Sequence, residues 1–261
     1  MLSTNAQNLI KDYISLPFKN VPGVRCPYFN NVRMIQRGQL RVLTGKGTPK
    51  EIVEEAKITS IQYGYDIFDV EGNCCACQEN KKGEIKKYLV DHHLGIDCSG
   101  FICHVLDHHY LQAKGISLSG NIFIVPTSKI LRWIISRLRP VENISVRTFA
   151  NDANSKPLAR ISDLRSADLI TMLETGPKHK RDHILLITDI KNNVIKYAHA
   201  RAWSGEGKYG NGVAEGEIKI IDPKKGLLEQ EWIEFDKSGD KNETYLEAKN
   251  AKKLEIRRLK I

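Results

Sequence analysis

The sequence lacks both a long apolar stretch and a recognisable export signal. No run of about 18 apolar residues occurs anywhere in the 261-residue chain, so no transmembrane helix is expected. The first residues, MLSTNAQNLIKDYISLPF, do not have a basic patch followed by a sustained apolar stretch, as a secretory signal would. We therefore expect a cytoplasmic protein without a membrane span, or one released to the cell wall by another route.

The cysteines are unevenly distributed. Of the six cysteines, Cys74, Cys75 and Cys77 crowd into one short stretch, which makes a poor disulfide framework for a chain of this length. This pattern favours a reducing, intracellular origin.

The metal- and phosphate-binding motifs are incomplete. Cys74 and Cys77 form a C-x-x-C without a partner pair, and no glutamate lies between His104 and His108 as in H-E-x-x-H. The glycine-rich segment 203–216 lacks the lysine and hydroxyl ending of a phosphate loop, and a flexible hairpin loop is the better interpretation. We expect no metal and no cofactor.

The formal net charge is +9, which favours an anionic partner such as nucleic acid, lipid headgroups or an acidic cell-wall polymer. Because the positive residues are dispersed and acidic residues interleave with them, nucleic acid is not the expected partner. The sequence leaves the oligomeric state unknown. An apolar content of 41% and a charged content of 27% are typical of a soluble globular protein.

The element pattern predicts an α+β fold. Thr48, Pro49 and Glu51 form a capping box at the start of a helix over about residues 49–63, with Ile52 and Ile61 on its apolar stripe. Further helices are expected after residue 98 and over 128–138, and QLRVLTGKG (39–47) is typical of a strand. From about residue 165 the chain has short β-rich runs, including a hairpin that turns at 192–193. Helices followed by an antiparallel sheet define the class.

Cys98 is the first candidate for chemistry because it directly precedes the predicted helix. The unpaired amides of a helix N-terminus lower the pKa of a thiol and raise the fraction of reactive thiolate. Gly100 allows another segment or a substrate to approach closely. Such a nucleophile also needs a base, usually histidine, and the base needs an orienting group.

His183 and His199 supply that base and orienting group on two adjacent predicted strands. With the turn at residues 192–193, paired residues have numbers that add to 385, so position 183 pairs near 202. The diagonal neighbour of His183 is then residue 200, one residue away from His199. A bulge or a longer turn would remove this one-residue offset.

Four segments in order now point to a family. The stretch G-I-D-C-S-G-F-I, then SADLI, then DHILLITDI and finally KYAHA resembles the NlpC-type papain-like cysteine peptidases, which act on bacterial cell-wall peptides. The similarity covers roughly residues 86–261. It implies a papain-like domain, with N-terminal helices packed on a C-terminal antiparallel sheet. Residues 1–85 are then an N-terminal accessory segment.

The resemblance also implies roles for individual residues. Cys98 corresponds to the nucleophile, His183 to the general base and acid, and His199 to the orienting third member. The matching residues with structural roles near the site are Asp97, Gly100 and Asp168. Tyr88 and Ser99 are the candidates for contacting the oxyanion or the substrate. The expected substrate is a peptide, most readily the peptidoglycan stem peptide.

The chain departs from the family pattern in two places. KKYLVDHHLG replaces the usual tyrosine and glycine-rich stretch before the cysteine, with Tyr88 as the substitute tyrosine. The 85 positions between Cys98 and His183 exceed the usual span, so residues 111–160 are expected to be an insertion. Two alternatives remain open: an intracellular amidase or thioesterase of the same fold, and a catalytically silent peptide-binding module.

Overall fold

The computed structural model describes residues 1–30, 41–69, 71–75, 81–125, 138–176 and 178–261. Within these ranges the chain is α+β, as predicted. The longer helices are α1 (Thr4–Ile14), α2 (Pro49–Gln62), α3 (Lys81–Asp91), α4 (Cys98–Lys114) and α5 (Glu243–Asn250). One-turn helices span Leu118–Asn121, Pro140–Asn143, Val146–Phe149 and Gly207–Gly210. The strands are β1 (Ser155–Leu158), β2 (Leu169–Thr175), β3 (Arg181–Lys191), β4 (Val194–Arg201), β5 (Gly212–Lys219), β6 (Glu231–Glu234), β7 (Lys237–Ser238) and β8 (Lys253–Leu259).

The chain forms two compact units. The sheet unit comprises residues 1–7, 102–199 and 214–261, and the helical unit comprises residues 8–101 and 200–213. Both units are discontinuous in sequence, unlike the predicted segments 1–85 and 86–261.

All eight strands belong to one sheet with the order β1-β8-β2-β3-β4-β5-β6-β7. The pairs β1–β8, β8–β2, β2–β3, β3–β4, β5–β6 and β6–β7 are antiparallel. Alternate residues of these strands build the apolar core, because successive side chains of a strand point to opposite faces. The core includes Leu185 and Ile187 of β3, Tyr197 of β4 and Trp232 of β6, and Ala248 of α5 packs with them.

The hairpin between β3 and β4 forms as the sequence predicts, with one irregularity in its register. Asn192 and Asn193 both have positive φ, 52° and 60°, which is the geometry of a type I′ turn. Near the turn Lys191 pairs with Val194, but beyond a bulge Ile187 pairs with Tyr197. The bulge therefore shifts the register by one residue in the outer half of the hairpin.

The helical unit begins its helix α2 where the capping box predicts. The Thr48 side chain accepts from the Glu51 backbone, and the Glu51 carboxylate accepts from the Thr48 backbone at 2.8 Å. Ile52 is fully buried, whereas Ile61 is 49% exposed, so the predicted apolar stripe stops before the end of the helix.

One predicted strand is a helix in the structure, and one predicted helix lies mostly outside the described residues. Residues Arg41–Thr44, predicted as part of a strand, form a short 3-10 helix that packs against α2. The predicted helix 128–138 falls almost entirely outside the described residues, as do Trp133 and Cys77. No helix in the described ranges is both long and apolar enough to cross a bilayer.

Candidate active site

Cys98 is the first residue of α4, and Asp97 caps that helix. The Gly100 amide donates to the Asp97 Oδ1 atom at 2.6 Å, and the Phe101 amide donates to the Asp97 carbonyl at 3.0 Å. The first-turn amides and the helix dipole favour a negative charge at this position. Cys98 carries a thiol and is only 5% exposed. The structure therefore gives Cys98 the helix-start position on which its predicted role depends.

A buried lysine neutralises the Asp97 carboxylate. Lys46 is 5% exposed, and its ammonium group lies 2.9 Å from Asp97 Oδ1 and 2.6 Å from Ser99 Oγ. The Ser99 hydroxyl also donates to Asp97 Oδ1 at 3.0 Å. Ser99, predicted as an oxyanion or substrate contact, thus has its hydroxyl engaged in the cap of α4. The Lys46 charge offsets a carboxylate that would otherwise oppose a thiolate on the adjacent residue.

Gly100 is where the chain leaves no room for a side chain. A Cβ atom there would lie 2.8 Å from the Lys46 Cδ atom and 2.9 Å from the Gly45 carbonyl oxygen. The close approach expected at this glycine is therefore made by the Gly45–Lys46 segment, which carries the ammonium group.

His183 and His199 lie side by side in the sheet unit. Met172 of β2 pairs with His183, and Leu186 pairs with Ala198 beyond the bulge. Continuing that register by one residue sets His199 opposite Leu185. Because Leu185 and His183 lie on the same face of β3, His199 is the diagonal neighbour of His183 on that face. His183 Nε2 and His199 Nδ1 are 2.7 Å apart, and both residues are buried. Without the bulge, His199 would oppose Leu186 and point to the other face.

A glutamate continues this hydrogen-bonded series. Glu234 Oε2 lies 3.0 Å from His199 Nε2 and accepts from the Tyr197 hydroxyl at 2.9 Å and the Thr244 hydroxyl at 3.1 Å. The side chains of Glu234 and His199 are both completely buried. Glu234 is not among the residues that the sequence motifs indicate. The signal for Glu234 is the period-two alternation of β6, which sets it on the same face as the buried Trp232.

Tyr88 lies on α3 in a cluster of aromatic rings. It contacts the rings of Tyr65, Phe68 and His92 and is 6% exposed. Its hydroxyl group has no hydrogen-bond partner in the described part of the chain, and burial raises its pKa above the ordinary value. The phenol is therefore a proton donor at neutral pH, which an oxyanion contact would require.

Asp168 lies in an ion pair just before β2. Arg258 binds both of its carboxylate oxygens, at 2.7 and 2.6 Å, and the Arg165 amide donates to Oδ2 at 2.8 Å. The preceding Ala167 has a φ of 72°, a conformation that favours glycine. This pair turns the chain into β2.

Taken by unit, the predicted residues fall into two groups. Cys98, with Asp97, Ser99 and Gly100, belongs to the helical unit, as does Tyr88. The two histidines belong to the sheet unit together with Asp168 and the unpredicted Glu234. In general, a thiol at a capped helix start can act as a nucleophile, and an imidazole pair backed by a carboxylate can accept a proton.

Within the residues that the structure describes, no three His, Cys, Asp or Glu side chains come together in a group that could hold a metal ion. His108 Nδ1 instead lies 2.9 Å from the carbonyl oxygen of His104, within the same helix. Comparison of the chain with protein-family models, with curated proteins and with solved structures found no match.

Proposed function

We propose that this chain is a papain-like cysteine hydrolase of the NlpC type that cleaves an amide bond, with a cell-wall peptide as its substrate. The observation that carries the proposal is the buried series His183–His199–Glu234. Two imidazoles and a carboxylate occupy core-face positions that are apolar farther along the same strands. Burial of such groups costs free energy unless their hydrogen bonds are satisfied. Proton transfer is a function that explains their presence.

In the proposed mechanism His183 accepts the proton of the Cys98 thiol, and the thiolate attacks the carbonyl carbon of the substrate. The His183 imidazolium then donates its proton to the departing amine, which leaves an acyl-thioester. His183 next takes a proton from a water molecule, whose oxygen attacks the thioester and releases the acid and the Cys98 thiol. The chemistry requires the Cys98 sulfur to come within reach of the His183 ring.

Two further groups have roles in this mechanism. The backbone N–H of Cys98 donates to the oxyanion of the tetrahedral intermediate, a contribution typically worth about 3 kcal/mol per donor. The Tyr88 phenol is the candidate for a second donor, because burial raises its pKa and keeps it protonated. His199 holds the ring of His183 through the 2.7 Å contact.

The substrate assignment depends on charge and on the resemblance in the Cys98 motif. A chain with net charge +9 is attracted to an anionic polymer such as bacterial cell wall. The intracellular amidase or thioesterase and the silent peptide-binding module differ from this proposal in measurable ways.

The test combines a thiol measurement with a digestion. Iodoacetamide alkylation at pH 7, read by peptide mass, compares Cys98 with Cys75, which is an exposed thiol in the same chain. Because Cys98 is only 5% exposed, faster alkylation of Cys98 than of Cys75 requires activation rather than access. His183→Ala is expected to abolish that advantage.

Purified peptidoglycan is then digested, and the fragments are identified by mass. The wild-type protein is expected to release stem-peptide fragments, and Cys98→Ala to release none while unfolding at the same urea concentration. An activated thiol without wall cleavage would favour the amidase or thioesterase. A Cys98 that reacts no faster than Cys75, together with no release of stem-peptide fragments, would reject the proposal in favour of the binding module.

A further inference from the structure

Glu234 receives three hydrogen bonds on a single carboxylate oxygen. His199 Nε2, the Tyr197 hydroxyl and the Thr244 hydroxyl all lie within 3.1 Å of Oε2. An ionised oxygen can accept from all three groups, whereas a protonated oxygen would have to donate to one of them. Hydrogen bonds to the charged form of a buried carboxyl favour that form. Oε2 of Glu234 therefore has the environment of an unprotonated carboxylate oxygen, which accepts and does not donate.

An unprotonated Oε2 on Glu234 decides where the protons of the two histidines lie. His199 must carry a proton on Nε2 in order to donate to the carboxylate, so in a neutral His199 the Nδ1 atom has the lone pair. That lone pair faces His183 Nε2 at 2.7 Å, and a hydrogen bond there requires the proton on His183 Nε2. The lone pair of a neutral His183 is then on Nδ1.

A proton on Glu234 Oε2 would reverse the whole series. The carboxylic acid would donate to His199 Nε2, the proton of His199 would move to Nδ1, and His183 would have to accept at Nε2. The proton of His183 would then occupy Nδ1. The direction of both hydrogen bonds is thus decided by the residue at the buried end of the series.

We infer that Glu234 is a positioning residue that holds His199 in the Nε2–H tautomer and thereby leaves the lone pair of His183 on Nδ1. The proton positions follow from the contacts among His183, His199 and Glu234, all of which lie in the sheet unit. Their catalytic consequence, that Nδ1 is the atom that exchanges a proton with Cys98, rests on the proposed function.

The test is NMR of the protein labelled with ¹⁵N at the histidine rings, because protonated and unprotonated ring nitrogens differ widely in chemical shift. Spectra of His183→Ala and His199→Ala assign the signals of the two rings. At a pH where both rings are neutral, we expect a protonated Nε2 and an unprotonated Nδ1 in each ring of the wild-type protein. A protonated Nδ1 in the neutral His199 would overturn the inference, without reference to any variant at position 234.

Two variants test whether Glu234 is the cause. Glu234→Leu is expected to remove the preference, so that each ring shows both tautomers or the reversed one. Tyr197→Phe removes a hydrogen bond of similar length to the same oxygen and is expected to leave the tautomers unchanged. Wild-type tautomers in folded Glu234→Leu would overturn the role of Glu234. If Glu234→Leu does not fold, the wild-type spectrum and Tyr197→Phe decide, since reversed tautomers in either contradict the inference.

The alkylation rate of Cys98 separates this inference from the proposed function. If the inference and the proposed function are both correct, the alkylation rate of Cys98 at pH 7 falls in Glu234→Leu. The fall is at least as large as the loss of the His183 tautomer that has its lone pair on Nδ1. In Tyr197→Phe the alkylation rate stays near that of the wild type. The expected tautomers together with an unactivated Cys98 would confirm the inference and reject the hydrolase.

Discussion

Replacement of Lys46 by methionine is the perturbation whose effect on stability follows most directly from the structure. Methionine retains most of the apolar stem of the lysine and removes the ammonium group. The Lys46 and Asp97 side chains are 6% and 12% exposed, and Nζ lies 2.9 Å from Oδ1. The variant therefore leaves a buried carboxylate without its counter-charge.

The size of the effect can be bounded from the distance. At an effective dielectric constant of about 20, two unit charges at 2.9 Å attract by about 6 kcal/mol, part of which the desolvation of both groups offsets. Loss of one partner of a buried pair costs about 3 to 5 kcal/mol. Because the Gly100 amide and the Ser99 hydroxyl still donate to Asp97, we expect the free energy of unfolding to fall by about 3 kcal/mol.

Lys252→Met is the matched control. Lys252 lies 3.0 Å from Glu174, almost the same distance, but these side chains are 58% and 42% exposed. Solvent screens such a pair, and many surface ion pairs contribute nothing measurable. The two variants therefore differ mainly in burial.

The assay is urea unfolding followed by circular dichroism. A lowered midpoint with an unchanged m-value for Lys46→Met, and an unchanged midpoint for Lys252→Met, is the expected result. Equal effects of the two substitutions would refute the argument from burial. In the double variant with Asp97→Asn, part of the loss is expected to be recovered, because the uncompensated charge is gone.

Three other outcomes are expected from the structure. Ala167→Gly should raise the urea midpoint and increase the free energy of unfolding by about 0.5 to 1 kcal/mol. The reason is that the strain of alanine at a positive φ exceeds the entropic cost of placing glycine there; an unchanged midpoint would contradict this. Gly100→Ala should cost about 1 to 3 kcal/mol through its clash with Lys46 and Gly45, whereas Gly120→Ala, where a Cβ meets nothing within 4 Å, should cost nothing in the same assay. Burial lowers the pKa of Lys86 to about 7, so between pH 7 and about 8.5 the unfolded chain binds more protons than the folded one. Over that range the stability of the wild type should rise by about 1 kcal/mol per pH unit relative to Lys86→Met, and parallel pH profiles of the two proteins would contradict the shifted pKa.

Local hydrogen bonds and the spacing of apolar residues were sufficient to predict two helix starts, one turn and the fold class. The capping box of Thr48 and Glu51 starts α2 at Pro49 because its hydrogen bonds span only three residues. The Asn192–Asn193 turn, the helix start at Cys98 and the α+β class follow from similarly short-range patterns. So does the selection of His183 and His199 as a pair.

Long-range packing decided the rest. A bulge near Thr188 determines that His199 shares a face with His183, and the turn sequence alone does not specify it. Glu234 is 35 residues from His199, and Lys46 is 51 residues from Asp97, so no local pattern links the members of either pair. The sequence by itself indicated the candidate cysteine and histidines. Only the tertiary structure placed a carboxylate next to His199 and an ammonium group next to the cap of α4. The physical reason is that register and burial depend on the packing of distant segments, which short-range hydrogen bonding does not encode.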